Sequence, residues 1–193
     1  MPPAGDLAAA YIAPDDSASP TTLDRVGPHG GVASDSAFGV ALVTLWQRAA
    51  ESGAPVGFAA PVVRSDIAAR AAAMVEEVRT GRLIGVAANR ARRLVGVAFL
   101  RPGRGDQSHT GRIELVLVER QWIRTGLGSR LISDLLARAT DLGLDRLDVA
   151  VPAGTGVEEF FGGFGFTEWG RRPGWIRAAD AGDRDEIVMG VTL

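Results

Sequence analysis

Apolar residues recur at helical spacing in two stretches of the first half of the chain. Phe38, Ala41, Leu42, Leu45, Trp46 and Ala49 share one helix face, and Gly53 stops the run. Ile67, Ala71, Met74, Val75 and Val78 mark a second helix that Gly81 ends, with Ser65 or Asp66 placed to cap its start. Residues 54–61 between them read as a loop from their Gly and Pro content. The period then changes. Residues 83–88, 94–100 and 113–118 are apolar runs of strand length, and the first two are joined by a polar stretch that suits a hairpin. Residues 101–110 read as a polar loop. The clearest helix follows: Leu127, Leu131, Ile132, Leu135, Leu136, Ala139 and Leu142 form one apolar stripe that Gly143 ends. Leu147, Val149 and Val151 alternate as a half-buried strand. Residues 157–161 predict a short helix, 164–169 a strand and 186–191 a closing strand.

This order predicts a mixed α/β (α+β) domain over residues 36–193. Its first half is antiparallel, and a strand–helix–strand unit in the middle brings two strands together as parallel neighbours. Residues 1–35 are rich in Gly, Pro, Ser, Asp and Ala. They predict a poorly ordered or extended segment, with room for a short strand near residues 21–26.

Composition narrows the chemistry. The chain has 193 residues, 46% of them hydrophobic and 23% charged, with a formal net charge of −2. That balance gives no broad attraction to nucleic acid or to an anionic membrane. No apolar stretch reaches the length of a membrane span. The start, Met1-Pro2-Pro3-Ala4-Gly5-Asp6, lacks the basic and apolar regions of a signal peptide, so a cytoplasmic protein is expected. There is no cysteine, hence no thiol nucleophile or cysteine-bound zinc. All 21 basic side chains are arginine, which excludes a Schiff-base lysine and a phosphate-loop lysine. His29 and His109 are the only histidines, too few for the usual histidine-based metal sites, and no metal is expected. Any catalysis must rest on carboxylates, backbone amides, hydroxyls, arginines or those two imidazoles.

The segment that carries chemistry follows the third strand: Arg124-Thr125-Gly126-Leu127-Gly128-Ser129. A strand runs into a tight turn whose glycines let backbone approach a ligand. The helix then begins with unpaired amides and the positive end of its dipole. That is an anion seat suited to phosphate or pyrophosphate, with Arg124 and Arg130 beside it. A dinucleotide fingerprint would need a third glycine where Leu131 stands. A Gly-rich helix start that binds nothing is the alternative to any ligand site.

The stretch from Val118 through Ile123-Arg124-Thr125-Gly126-Leu127-Gly128-Ser129-Arg130-Leu131 resembles the acetyl-CoA signature of GNAT acetyltransferases, Arg/Gln-x-x-Gly-x-Gly/Ala at the start of a long helix. Downstream, Phe160-Phe161-Gly162-Gly163-Phe164-Gly165-Phe166 resembles the family's Phe-Tyr-x-x-x-Gly-Phe. The motifs and element order cover roughly residues 36–193. Residues 53–58, 106–109 and 170–175 are also similar to segments of the tabtoxin-resistance group of that family.

The resemblance implies a mixed central sheet whose two central parallel strands splay apart around acetyl-CoA, and an N-acetyltransferase acting on a small-molecule amine. It implies that the amides of Arg124, Thr125, Gly126, Leu127, Gly128 and Ser129 hold the pyrophosphate. Main-chain groups of Leu117 and Val118 would pair with the pantetheine arm. Domains of this family often pair, so a homodimer is among the expectations. Three residues depart from the pattern. Ile123 stands where the signature has Arg or Gln. Phe161 stands where many relatives carry the tyrosine that protonates the departing thiolate. Arg112 stands where the narrower group often has a carboxylate. These departures keep a second reading open, an acyl-CoA-binding protein with weak or no transfer.

Glu114, on the strand face of Arg112, is the candidate general base; the competing reading is an ion pair with Arg112 or another arginine. His109 is the weaker alternative, a base or substrate contact against a solvated loop residue. Glu119 reads as surface charge. Trp46, Phe58 and Trp175 are candidates for the acceptor pocket or for the core.

Overall fold

Strands β3 (Ile84–Arg90) and β4 (Arg93–Pro102) are almost wholly buried because helices cover both of their faces. Their consecutive apolar residues divide by alternation, with one change of phase at Val95, the extra residue of a bulge between the Ala88–Gly96 and Asn89–Leu94 pairs. Val86, Ala88, Val95, Ala98 and Leu100 join one core cluster, and Ala87, Val97 and Phe99 join the other. Helices α1 (Ser36–Glu51) and α2 (Arg64–Arg79) complete the second cluster through Phe38, Leu42, Trp46, Ile67 and Met74. Helix α3 (Leu127–Asp141) completes the first through Leu127, Leu131, Ile132, Leu135 and Ala139. Each such Leu or Ile contributes roughly 1.5–3 kcal/mol by leaving water.

The computed structural model describes residues 19–28, 30–31, 36–58, 61–178 and 182–193. The expectation for residues 1–18 lies outside them. The remaining elements are β1 (Thr22–Gly27), β2 (Gly30–Gly31), β5 (Thr110–Val118), β6 (Arg146–Pro152), α4 (Val157–Gly162), β7 (Thr167–Ala178) and β8 (Gly182–Thr192). Among the described residues the strands form one sheet in the order β2-β1-β3-β4-β5-β6-β8-β7. Neighbours are antiparallel except β5 and β6, which α3 connects and which run parallel. This is the mixed sheet with an antiparallel first half that the element order predicts.

Several element bounds differ from the sequence reading: β5 begins at Thr110 inside the expected 101–110 loop, and β8 begins at Gly182, ahead of the expected residue 186. Helix α2 begins at Arg64 with Val63 as its cap and no side-chain cap bond. Ser65 and Asp66 therefore lie inside the first turn, where Asp66 faces the positive end of the dipole. The strand expected at residues 164–169 begins only at Thr167 and runs to Ala178. Phe164 and Gly165 form the turn that closes α4, their amides donating to the carbonyls of Phe161 and Gly162.

The parallel pair is short. β5 pairs with β6 from Thr110↔Arg146 to Ile113↔Val149 and no further. Beyond that row β6 continues with β8 while β5 continues with β4, so a gap opens between the two central strands. The parting coincides with a bulge: Leu100 is opposite Ile113 and Phe99 opposite Leu115, which leaves Glu114 as the extra residue. A bulge bends its strand and shifts its side-chain phase. Accordingly Ile113 packs on the α3 side, whereas Leu115 and Leu117 pack on the α1–α2 side.

Candidate active site

Past the bulge, the amide of Glu119 donates to the carbonyl of Val95 at 2.9 Å. Amide and carbonyl groups of alternate residues point to the same edge of a strand. Leu117 therefore turns its main-chain groups to Val97 on β4, and Val116 and Val118 turn theirs toward the gap. Of the two residues singled out from sequence, Val118 faces the gap and Leu117 does not. Val116, which the sequence reading did not select, does.

The turn after β5 is built from successive short hydrogen bonds. The amide of Trp122 donates to Glu119 O at 2.8 Å and that of Ile123 to Arg120 O at 3.2 Å. The Thr125 hydroxyl donates to Trp122 O at 2.7 Å. Arg124 and Gly126 take positive φ, 64° and 87°. Gly126 is the N-cap of α3, and open space surrounds the position of its missing Cβ. The Arg130 amide donates to Gly126 O at 3.0 Å, so the amides of Leu127, Gly128 and Ser129 precede the first intrahelical bond. Arg120, Arg124 and Arg130 flank these donors in sequence, with no acid between Glu119 and Asp134, and the Arg130 guanidinium donates to Thr21 O at 3.4 Å. The seat thus combines open space at a glycine, free amides and positive charge, which fits a pyrophosphate. Ile123 is 51% exposed.

The helix start and the gap are contiguous. A Cβ on Gly128 would lie 3.5 Å from Phe160 of α4 and 3.8 Å from Val118. Phe160 thus lines the mouth of the gap, edge-on to Phe161 and Phe164 at centroid distances of 5.3 and 5.4 Å. Phe161 is buried against Phe166 at 5.2 Å.

Glu114 is held by arginine. Arg101 Nε donates to its Oε1 at 2.6 Å, and Arg70 Nη2 lies 3.9 Å from Oε2. Arg101 also grips Glu77 of α2 at 2.8 and 3.2 Å. The hydrogen bond from Arg101 pulls the Glu77 carboxyl below its ordinary range, and Glu77 in turn raises the Arg101 guanidinium. Arg112 is instead bonded to Asp148 across the parallel pair at 2.9 Å. That bond raises the Arg112 pKa, with the charges of Glu114 and Glu186 adding to it. His109 precedes β5 at its other end, nine residues from Val118 and so roughly 30 Å along the strand. Its carbonyl accepts from the Asp145 amide at 2.7 Å. Glu119, expected as surface charge, is largely enclosed and bridges Arg48 of α1, at 3.1 Å, to Arg93 of β4.

Trp46 is core: its indole donates to Val56 O at 2.9 Å and meets Phe58 edge-on at 5.3 Å. Trp175 lies apart from them on β7, exposed, with the Arg172 guanidinium 5.0 Å from its ring. α4 packs on β6 and β8 from the α3 side, where Val149, Val151, Ile187 and Met189 meet Phe161. The other face of β6–β8–β7 carries Asp148, Ala150, Glu186 and Val188, all half-buried, and among the described residues the helix that packs chiefly on these strands, α4, lies on the α3 side. No group of side chains suited to a metal ion is found among the described residues. No helix there is long and apolar enough to cross a membrane.

Comparison with known proteins agrees with this geometry. The family model of the acetyltransferase (GNAT) domain matches residues 49–173, well over half of the chain. The chain belongs to the GNAT acetyltransferase family, and is by that membership an acyltransferase. Solved structures share the fold at low identity. An N-acetyltransferase from Staphylococcus aureus Mu50 superposes with a TM-score of 0.72 at 14% identity, over 90% of this chain and 99% of that one. A GCN5-related N-acetyltransferase from Kribbella flavida gives 0.71 at 18%, over 90% and 98%. The ribosomal-protein-S18-alanine N-acetyltransferase from Escherichia coli gives 0.67 at 17%, over 90% and 94%. No curated protein matches the sequence significantly.

Proposed function

We propose that the protein transfers acetyl from acetyl-CoA directly to the primary amine of a small molecule. The observation that carries this is the gap beside β5: two residues, Val116 and Val118, present main-chain groups along an edge that ends at the anion seat of α3. Within residues 124–129 the amides of Leu127, Gly128 and Ser129 would hold the pyrophosphate, the Thr125 amide already donating to Trp122 O. The outward groups of Val116 and Val118 would align the pantetheine arm as a partner strand is aligned. An outward amide there also polarises a carbonyl placed against it.

Acetyl-CoA supplies an activated thioester: the amine nitrogen gains the acetyl group, the carbon–sulfur bond breaks, and sulfur leaves with the amine's proton as CoA thiol. The absence of cysteine supports direct transfer without a cysteine acyl-enzyme. α3 lies on one side of the sheet, so the amine would approach from the other, across the opposite face of β6–β8–β7. Glu114 stands where the strands part and is our general base, taking the ammonium proton directly or through water. Its bond to Arg101 fixes Oε1 and leaves Oε2 with the longer contact to Arg70. Phe161 has no hydroxyl, so water would supply the proton to sulfur.

Two measurements test the proposal. Calorimetry should show binding of acetyl-CoA; binding of NAD or ATP in its place would overturn it. Free-thiol release over an amine panel should depend on the amine. Tight acetyl-CoA binding with no turnover would favour the binding-protein reading.

A further inference from the structure

Trp169 lies between Glu168, which pairs with Met189, and Gly170, which pairs with Val188, so it is the extra residue of a bulge in β7. Bulges re-aim side chains. The indole lies flat over Gly190: a Cβ there would fall 2.2–2.4 Å from three of its ring atoms, so only glycine leaves it room. Gly190 is opposite Asp148 on β6, and Asp148 is opposite Arg112 on β5. Residues directly opposite share a face. The indole therefore lies on the face opposite α3, one row before β5 and β6 part. It remains 51% exposed. Strand spacing sets the ring roughly 7–10 Å from the gap, and the next row between them is floored by Ala150 and Val188.

The charges around this platform are already paired. Arg112 is held by Asp148, Glu186 by Arg172, and Glu114 by Arg101. What remains for recognition is a flat ring surface above a floor of small side chains. Flat rings stack on such a surface. We infer that Trp169 is the specificity-determining residue for the acceptor, and that the acceptor is a primary amine joined by a short chain to a planar ring. The ring stacks on Trp169 and the amine reaches the gap beside Glu114. This rests on the acetyl-transfer reading above.

Thiol-release kinetics with phenethylamine and phenylbutylamine against n-butylamine test it. The ring amines should have a kcat/KM about tenfold or more above n-butylamine, carried by KM, consistent with aromatic stacking. Trp169→Ala and Gly190→Ala, which displaces the indole, should each reduce that advantage to about threefold or less, and Trp169→Phe should keep most of it. Equal kcat/KM for ring and chain amines in the wild type, or an advantage that survives both variants, overturns the inference. Calorimetry of phenethylamine with the CoA-loaded protein is the separate arm. If no amine releases thiol, the transferase reading fails, and the platform is decided by binding alone. Binding lost in Trp169→Ala and kept in Trp169→Phe supports it; no binding to the wild type overturns it.

Discussion

Gly128→Asp should strengthen the fold and weaken the cofactor site, two effects of opposite sign from one side chain. Gly128 is the second residue of α3, and its φ is not positive. An added Cβ would meet Phe160 at 3.5 Å and Val118 at 3.8 Å, ordinary contact distances. Replacing a helical glycine by aspartate gains about 0.3 kcal/mol or less in helix propensity. A carboxylate in the first turn adds about 0.3–1 kcal/mol with the dipole. The melting temperature should therefore rise by about 2–4 °C per kcal/mol gained. Binding moves the other way. A carboxylate about 5 Å from a doubly charged pyrophosphate, at an effective dielectric of about 40–80, costs about 2–3 kcal/mol. That is a loss of roughly 30–150-fold in CoA affinity. Salt screens it, since the Debye length falls from about 10 Å at 0.1 M to about 3 Å at 1 M. Thermal melts and CoA calorimetry at both salt concentrations read all three effects. An unchanged CoA affinity in a variant that melts no lower would show that the anion seat of α3 is not the pyrophosphate site.

The other predictions concern the gap and the charge network. Val118→Pro removes an amide that faces the gap and no ladder bond, so acetyl-CoA affinity should fall at least about tenfold with a small change in melting temperature; Leu117→Pro removes a bond to β4 and should destabilise the protein instead, and equal effects of the two on stability would refute the edge assignment. Glu114→Gln should lower kcat at neutral pH by about a hundredfold or more with the KM for acetyl-CoA retained, and equal activity across the pH range would remove Glu114 from the reaction. The Glu77 carboxyl lies below its ordinary value of 4.5 because Arg101 bonds its ionised form. The stability it gives is thus fully present above that value and is lost as pH falls through the lower folded value. Melting curves of Glu77→Gln should therefore fall below wild type by about 1 kcal/mol or less at pH 7 and converge with it toward pH 3; a constant difference would contradict the linkage.

Much of the frame was legible because it rests on local pattern. The stripe from Leu127 to Ala139, the Gly143 stop and the two buried strands β3 and β4 follow from residue spacing alone. The tight turn and helix start proposed as the anion seat were legible for the same reason, since the glycines and the helix start lie within six residues. What could not be read depends on partners distant in sequence. Ile113, Leu115 and Leu117 alternate as if on one face, and nothing local marks the bulge at Glu114 that divides them. The edge to which Val118 turns its amide is set by pairing with β4, so Leu117 and Val118 looked equivalent. Glu114 could be expected to meet an arginine, but Arg101 is chosen by the β4–β5 register. Glu119 looked exposed because Arg48 and Arg93 come from other elements. The seating of Trp169 on Gly190 joins two strands across a bulge and leaves no local trace.

Acetyl transfer to an amine is tested most directly by following free thiol and acetylated amine together in one reaction of protein, acetyl-CoA and a primary amine. Our account predicts that both appear at equal rates, that neither exceeds background without the amine, and that Gly128→Asp suppresses both. Thiol release unaccompanied by acetylated amine, or no release from a protein that binds acetyl-CoA, would contradict it.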